Sequence, residues 1–327
     1  MFENYTSKLR KPNLLRRIFR RILLYFFFEQ WFLLLAQNNT DKEPSWKDFT
    51  RFIPPPDRIW ADPFIWVHGD KYYVFFEEQP TDTKPGHICC MTLDDDLKIL
   101  ANEIVLKRSY HLSYPFIFEH DGELYMLPET GMNRSVEVYR CKKFPNRWVL
   151  VQTLLSGLYA FDATLFENKG KWWLFVNIGE NEGGESTWDK LHLFYSDHPL
   201  SRHWTPHLAN PIIQDVRSAR PAGRIFLQNG EIIRPSQDCS KRYGYATNFN
   251  IITKLSETEY EESLGWKFLP TSKDILSTHT WNRVDNLLAV DAMLMIRRQY
   301  SGGIRRIGKD FRRFFLYISD KWGSEFP

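Results

Sequence analysis

Three ionisable residues stand alone inside runs that otherwise read as buried strand: Asp62 in "RIWADPFIW", Asp162 in "YAFDATLF" and Arg220 in "SARPAGRIF". An apolar wall makes an isolated charge costly unless it is paired or put to use. Carboxylates and cations held in this way are the material of proton transfer and of charge stabilisation. Aligning the strand-like runs adds Tyr114 in "LSYPFIF" and His279 in "STHTW", so that five copies share one column. The column is polar in every copy while its flanks are apolar. Such groups must satisfy one another as a hydrogen-bond network in any case. Two carboxylates, an arginine, a tyrosine and a histidine together favour a site over plain scaffold.

A second set of polar residues closes the run that follows three members of the column, Asp62, Tyr114 and Arg220. It comprises Glu77 and Glu78, Glu129 in "LPET", and Arg234, Gln237 and Asp238 in "RPSQD". Tyr243 follows in "RPSQDCSKRYGYATN", whose density of hydrogen-bonding groups exceeds what a turn needs. These side chains are candidates for lining the same mouth.

The elements that must position them repeat along the chain. "ADPFIWVHGDKYYVFFEE", "SYPFIFEHDGELYMLPET", "FDATLFENKGKWWLFVNI" and "ARPAGRIFLQNGEIIRPSQD" each carry a short apolar strand, a turn with Gly beside Asp, Asn or Lys, and a second strand. That is hairpin grammar. Third strands follow in "GHICCMTL", "SVEVYRC", "KLHLFYS" and "TNFNIITKL", and fourth strands in runs such as "RWVLVQTLL" and "GWKFLP"; "HTWNRVDNLLAVDAM" is a fifth, weaker copy. Four strands recurring at roughly fifty-residue spacing predict propeller blades. The expected fold is all-β, a five-bladed propeller of four-stranded antiparallel blades over residues 28–295, with short basic helical segments in 1–27 and 296–327. "EQWFLLLA" is expected as the outer strand of the last blade, closing the ring. A β-sandwich with long hairpins is the alternative. In a propeller the first strands line the central channel, so the column converges near the axis.

Composition narrows the partners. With 43% hydrophobic and 16% aromatic residues among 327, the chain can bury a large core. Its 43 basic and 40 acidic residues leave a formal charge of +3, which argues against nucleic acid as the partner. "KLRKPNLLRRIFRR" and "RRQYSGGIRRIGKDFRR" interleave basic and apolar residues and are candidates for peripheral contact with an anionic membrane, or solvated terminal helices. Four cysteines without a pairing pattern favour a reducing compartment. In "RRILLYFFFEQWFLLLA", Glu29 and Gln30 interrupt the apolar run and its uninterrupted pieces are too short to span a bilayer, so it reads as a peripheral helix leading into a strand, with a cleaved or anchoring signal as the alternative. A cytoplasmic location, at the inner membrane face where the termini engage, is the expectation. There is no P-loop and no GxGxxG, "DDD" at 94–96 reads as a solvated turn, and the histidines do not repeat at ligand spacing; no metal and no cofactor are expected.

"WADPF" and "FDATLF" resemble the five-bladed propellers of family 43 and related glycosidases acting on furanosides. "ADPFIW", "SYPFIFEHDGELYMLPET", "SARPAG" and "RPSQD" resemble more closely the propeller found N-terminal to the transferase domain of plant glucosamine inositolphosphorylceramide transferases. Bacterial relatives of that propeller occur in sets of enzymes that make surface polysaccharides. The glycosidase resemblance implies a general base at Asp62, an orienting acid at Asp162 and a general acid on the fourth blade. At that last position the chain carries Arg220, with Glu129 or Asp238 as substitutes from neighbouring strand ends. A glycoside leaving as an alkoxide needs a proton, whereas a phosphate leaving group needs positive charge. Asp62 as base, with Arg220 and Arg234 beside a leaving phosphate, therefore fits transfer from a phosphate-activated donor to a glycan or glycolipid acceptor. The alternatives are a furanosidase-like hydrolase and a non-catalytic carbohydrate-binding propeller. In the last, Tyr114, Trp172, Trp173 and Trp188 are candidates for stacking on sugar faces, and Tyr114, Glu78, Arg234, Gln237, Tyr243 and His279 would line the substrate.

Overall fold

A computed structural model describes residues 27–37, 45–82, 84–179 and 188–297. They form five antiparallel sheets. Blade 1 runs from its inner strand Arg58–His68 through Lys71–Pro80 and His87–Leu93 to Ile99–Leu106. Blade 2 comprises Ser113–His120, Glu123–Glu129, Ser135–Lys143 and Arg147–Ser156. Blade 3 begins Tyr159–Asn168, Lys171–Gly179 and Lys190–Ser196, and its outer edge is two short pieces, Thr205–Pro206 and Ile213–Gln214. Blade 4 contains Phe226–Gln228, Glu231–Asp238, Ala246–Leu255 and Tyr260–Phe268. The expected five-bladed, all-β architecture is thus present. Among the described residues the helical content is one 3-10 turn, Gly131–Asn133. The expected terminal helices lie outside the described residues.

Blade 5 is assembled from both ends of the chain. Trp281–Val284 is innermost and Leu287–Arg297 second, while Phe27–Gln37 is third and Thr50–Phe52 outermost. The N-terminal strand therefore closes the ring, as expected, but one place further in than expected. Its continuous apolar run explains the difference. Trp31 to Ala36 are all buried, which an outermost strand would not achieve, whereas in Thr50–Phe52 only Phe52 is buried.

The second strands read as unbroken apolar runs because both sheet faces are covered. In blade 1, Phe75 packs with Phe116, Leu127 and Val138 of blade 2, while its neighbours Val74 and Phe76 pack with Leu33, Leu35 and Leu287 of blade 5. Alternation along a strand thus assigns successive side chains to opposite inter-blade cores.

Each of the first three inner strands carries the same irregularity. Ala61 pairs with Glu77 and Phe64 with Phe75, so that two residues oppose one, and the same slip recurs between Ser113 and Phe116 and between Phe161 and Thr164. The first residue of each bulge is left-handed: Asp62 at φ 54°, Tyr114 at 43° and Asp162 at 51°. That conformation is uncommon without glycine, and such strain gathers at functional sites. The bulge re-aims one side chain and releases its amide from the ladder.

Candidate functional site

The released amides point to carboxylates around the axis. Asp62 N–H donates to Asp291 Oδ2 (3.1 Å), Tyr114 N–H to Asp62 Oδ2 (3.2 Å) and Asp162 N–H to Glu129 Oε2 (3.3 Å). Bulges and acids together therefore build a ring at the end of the channel where the inner strands begin.

The ring has two halves. On blades 2 to 4, Arg220 Nε donates to Asp162 Oδ2 at 2.5 Å, and its Nη2 reaches Glu129 Oε2 at 3.3 Å. Gln237 Nε2 adds a bond to Asp162 at 3.0 Å. The Arg220 guanidinium lies 5.3 Å from the Phe161 ring and 5.1 Å from the Tyr243 ring. Burial opposes its charge, but Asp162 and Glu129 more than compensate and hold it protonated. Burial, reinforced by Asp162, pushes Glu129 well above the usual carboxylate range.

On blades 5 and 1, Asp62 Oδ1 accepts from the Thr280 hydroxyl at 2.6 Å, and His279 Nδ1 lies 2.7 Å from Asp291 and 3.5 Å from Asp62. Asp291 also accepts the amides of His279 and Thr280. Burial would deprotonate His279, yet Asp291 and Asp62 raise it to about 9, so it is an imidazolium at neutral pH. Burial pushes Asp62 up to about 6, with His279 pulling the other way. A carboxylate near neutrality is tuned for proton transfer. Asp62, His279 and Asp291 also have the mutual spacing of metal ligands, within 4.8 Å. The carboxylate oxygens accept the Tyr114 amide and Thr280 hydroxyl at Asp62, and the Asp62, His279 and Thr280 amides at Asp291.

Glu77 stands beside this half. His111 Nε2 lies 3.3 Å from its Oε1, and burial, with Asp62 next in weight, pushes the carboxyl well above its ordinary value.

Of the expected residues, Asp62, Asp162, Arg220, Glu129, Gln237 and His279 are brought together, with Tyr243 over Arg220 and 5.3 Å from the His279 ring. Four others go elsewhere. Glu78 faces the core shared with blade 5, where Trp60 Nε1 (2.8 Å), Arg58 (3.0 Å) and His87 (3.3 Å) occupy it. Arg234 is spent on Glu262, at 2.6 and 2.7 Å, and on the Ser218 carbonyl. Asp238 accepts from Ser240 and Lys267. Strand parity is the reason: Glu77 and Gln237 face the axis, so Glu78, Arg234 and Asp238 cannot. Tyr114 belongs to the column by its backbone, but its ring is fully buried against Phe64 and its hydroxyl bonds Thr164 (2.9 Å) and the Gly223 amide (2.7 Å). Its ring and hydroxyl are both engaged within the protein. Among the candidate stacking residues, Trp172 packs against Phe118 and His120 of blade 2 and Trp173 lies in the core between blades 3 and 4, while Trp188 lies 5.5 Å from the Tyr243 ring beside the ring of acids.

Three participants escaped the sequence reading. Asp291 carried the same signal as Asp62, a lone acid in the apolar run "NLLAVDAML". Thr280 adjoined a recognised residue. His111, in the crossing from blade 1 to blade 2, gave no periodic signal.

Comparisons with known proteins give the family and the fold. Residues 53–293 match the family described as glucosamine inositolphosphorylceramide transferase 1, N-terminal. Over 210 residues, 63% of the chain, it is 37% identical to glucosamine inositolphosphorylceramide transferase 1 of Oryza sativa subsp. japonica and 36% identical to that of Arabidopsis thaliana. The chain spans 28% and 27% of the length of those relatives. Among solved structures, a family 117 glycoside hydrolase of Zobellia galactanivorans superposes with a TM-score of 0.52 at 12% identity, covering 81% of this chain and 90% of that one. An exo-β-1,3-galactanase of Clostridium thermocellum gives 0.52 at 12% identity, covering 82% and 63%. These two likenesses are of fold.

Proposed function

The chain belongs to the glucosamine inositolphosphorylceramide transferase 1 N-terminal family, and from that membership we propose that its axial cluster transfers a glycosyl group during assembly of a glycolipid or cell-surface polysaccharide. The observation that carries this reading is Asp62: a buried carboxylate, raised to about 6, on a strained bulge and steadied by the Tyr114 amide and the Thr280 hydroxyl. In the proposed step Asp62 takes the proton of the acceptor hydroxyl as that oxygen attacks the anomeric carbon. The donor is phosphate-activated, and Arg220 and His279 are the cations that offset the charge of the departing phosphate. Under this reading the chain works in the cytoplasm, with its basic terminal segments touching the inner membrane face.

The test is incubation of the full chain and of Asp62→Asn with nucleotide-sugars and lipid-linked acceptors, alongside chromogenic furanosides. Transfer by the wild type that Asp62→Asn abolishes is the expected result. Furanoside hydrolysis without transfer, lost in Asp62→Asn, would overturn it in favour of the furanosidase-like reading, which the raised carboxyl of Glu129 supports. Sugar binding without turnover in either protein would favour a carbohydrate-binding propeller, a reading supported by the Trp188–Tyr243 pair.

A further inference from the structure

Glu77 and Glu129 hold equivalent places, each opposite the residue that precedes an axial bulge, in blades 1 and 2. Their surroundings differ. Glu129 is bound by the Arg220 guanidinium and the Asp162 amide. Among the described residues no lysine or arginine forms an ion pair with Glu77, and the charges that act on it are Asp62, Asp162 and Asp291, opposed by His279. Its near neighbour is His111. The Gly86 amide donates to His111 Nδ1 at 3.0 Å, which puts the imidazole proton on Nε2, the atom facing Glu77 Oε1. Burial keeps this imidazole neutral by pushing it down to about 4. Nε2 of His111 thus faces Oε1 of Glu77 at 3.3 Å, with the imidazole proton on the side of the carboxyl.

The loop is shaped for this pair. A Cβ on Gly86 would lie 2.8 Å from the His111 ring and 2.9 Å from Glu77 Oε1, so a side chain there would force the two apart. Three separate segments, the second strand of blade 1, the loop before His87 and the crossing before blade 2, converge to orient one carboxylic acid.

We propose that Glu77, oriented by His111 and given room by Gly86, delivers a proton to the departing oxygen, so that the axial cluster also acts on unactivated glycosides. The inference rests on the reading that this cluster transfers glycosyl groups, and it adds a second class of donor. The step balances. The attacking hydroxyl, of acceptor or water, loses its proton to Asp62 and bonds to the anomeric carbon. The bond from that carbon to the leaving alkoxide breaks, and the alkoxide takes the proton of Glu77. Solvent then returns Asp62 to its ionised form and Glu77 to its protonated form. Glu77 is the catalytic residue in this step; His111 and Gly86 are positioning residues.

Matched 4-nitrophenyl and methyl glycosides test it, assayed with the full chain and with Glu77→Gln, His111→Ala and Gly86→Ala. A nitrophenolate leaves without help, whereas methoxide requires a proton. Glu77→Gln is expected to slow methyl glycosides about 100-fold or more and the nitrophenyl partners less than about 10-fold. His111→Ala and Gly86→Ala should show the same bias in weaker form. A loss of folded protein would lower both probes equally, so the bias is not a stability effect. Infrared spectra at neutral pH should contain a protonated-carboxyl band that Glu77→Gln removes and Glu129→Gln does not. Equal loss on both glycosides, or no band assignable to Glu77, overturns the role of Glu77 while leaving the transfer reading intact. A wild type that turns over nucleotide-sugars but no methyl glycoside also overturns it. A wild type inert towards every donor overturns both.

Discussion

Asp62 and Asp162 occupy equivalent bulges with nearly the same φ, 54° and 51°, yet the two halves of the ring treat them differently. Asp162 meets Arg220, a permanent cation at 2.5 Å that also holds Glu129. Asp62 meets a hydroxyl, an amide and, at 3.5 Å, an imidazolium whose nearer partner is Asp291. A guanidinium cannot release its proton in the working range, whereas an imidazolium raised to about 9 can. One half is therefore a fixed ion pair that sets geometry. The other is a titrating pair that can move protons. The same backbone device serves both, and the partner on the neighbouring blade decides the chemistry.

Removing the carboxylates one at a time separates the halves most sharply. Asp62→Asn is expected to cut turnover by about 100- to 10,000-fold with little change in sugar binding, because it deletes the base and keeps the shape. Asp162→Asn should weaken binding as well as turnover, because it frees the guanidinium. Steady-state rates and calorimetric titration with the same sugar distinguish the two; identical profiles would erase the contrast.

The fixed half should dominate stability. Arg220→Met leaves Asp162 and Glu129 buried without their cation and is expected to cost about 3–5 kcal/mol, measured by urea unfolding at neutral pH. A loss below about 1 kcal/mol would mean that the pair is solvated and that Asp162 resembles Asp62 after all.

The titrating half should dominate pH dependence. His279 has a folded value of about 9 against an ordinary 6.5, so its contribution is fully present below 6.5 and is lost as pH rises through 9. At about 1.4 kcal/mol per pKa unit the loss comes to about 3–4 kcal/mol. His279→Gln should flatten the stability curve in that window, while Arg220→Met should not. Asp62 acts in a lower window with the same sign, since its raised value makes stability fall as pH climbs from 3.8 to about 6. His111, lowered to about 4, works in reverse and costs stability as pH falls below 6.5.

These contrasts follow from partners that the sequence shows unevenly. The repeat was legible because each hairpin places its turn and aromatic strand alike, and the column was legible because a charge between apolar neighbours stands out. Parity was not legible. "FFEEQ" and "RPSQD" each offer both faces of a strand; Phe75 and Phe76 are both buried and "RPSQD" holds no phenylalanine, so neither run chooses between Glu77 and Glu78 or between Gln237 and Asp238. The outermost strand of blade 5 was not legible, because Thr50–Phe52 is three residues with one buried side chain. Nor was the tie between His111 and Glu77, which depends on how a loop and an inter-blade crossing meet.

Tyr114 supplies the finest distinction, since its bulge matches those of the two acids and its side chain does something else. Its hydroxyl accepts the Gly223 amide at 2.7 Å and lies 2.9 Å from Thr164, tying blade 2 to blades 4 and 3 beneath the acids. Tyr114→Phe leaves the buried Gly223 amide without its acceptor while the ring still fills its place against Phe64. Orphaning one buried donor costs about 1–3 kcal/mol. Because the amide of residue 114 still reaches Asp62, turnover and sugar affinity should hold steady as the unfolding midpoint falls. An altered affinity with unchanged stability would instead put Tyr114 on the substrate and make all three bulges functional, leaving the two-half division without its structural floor.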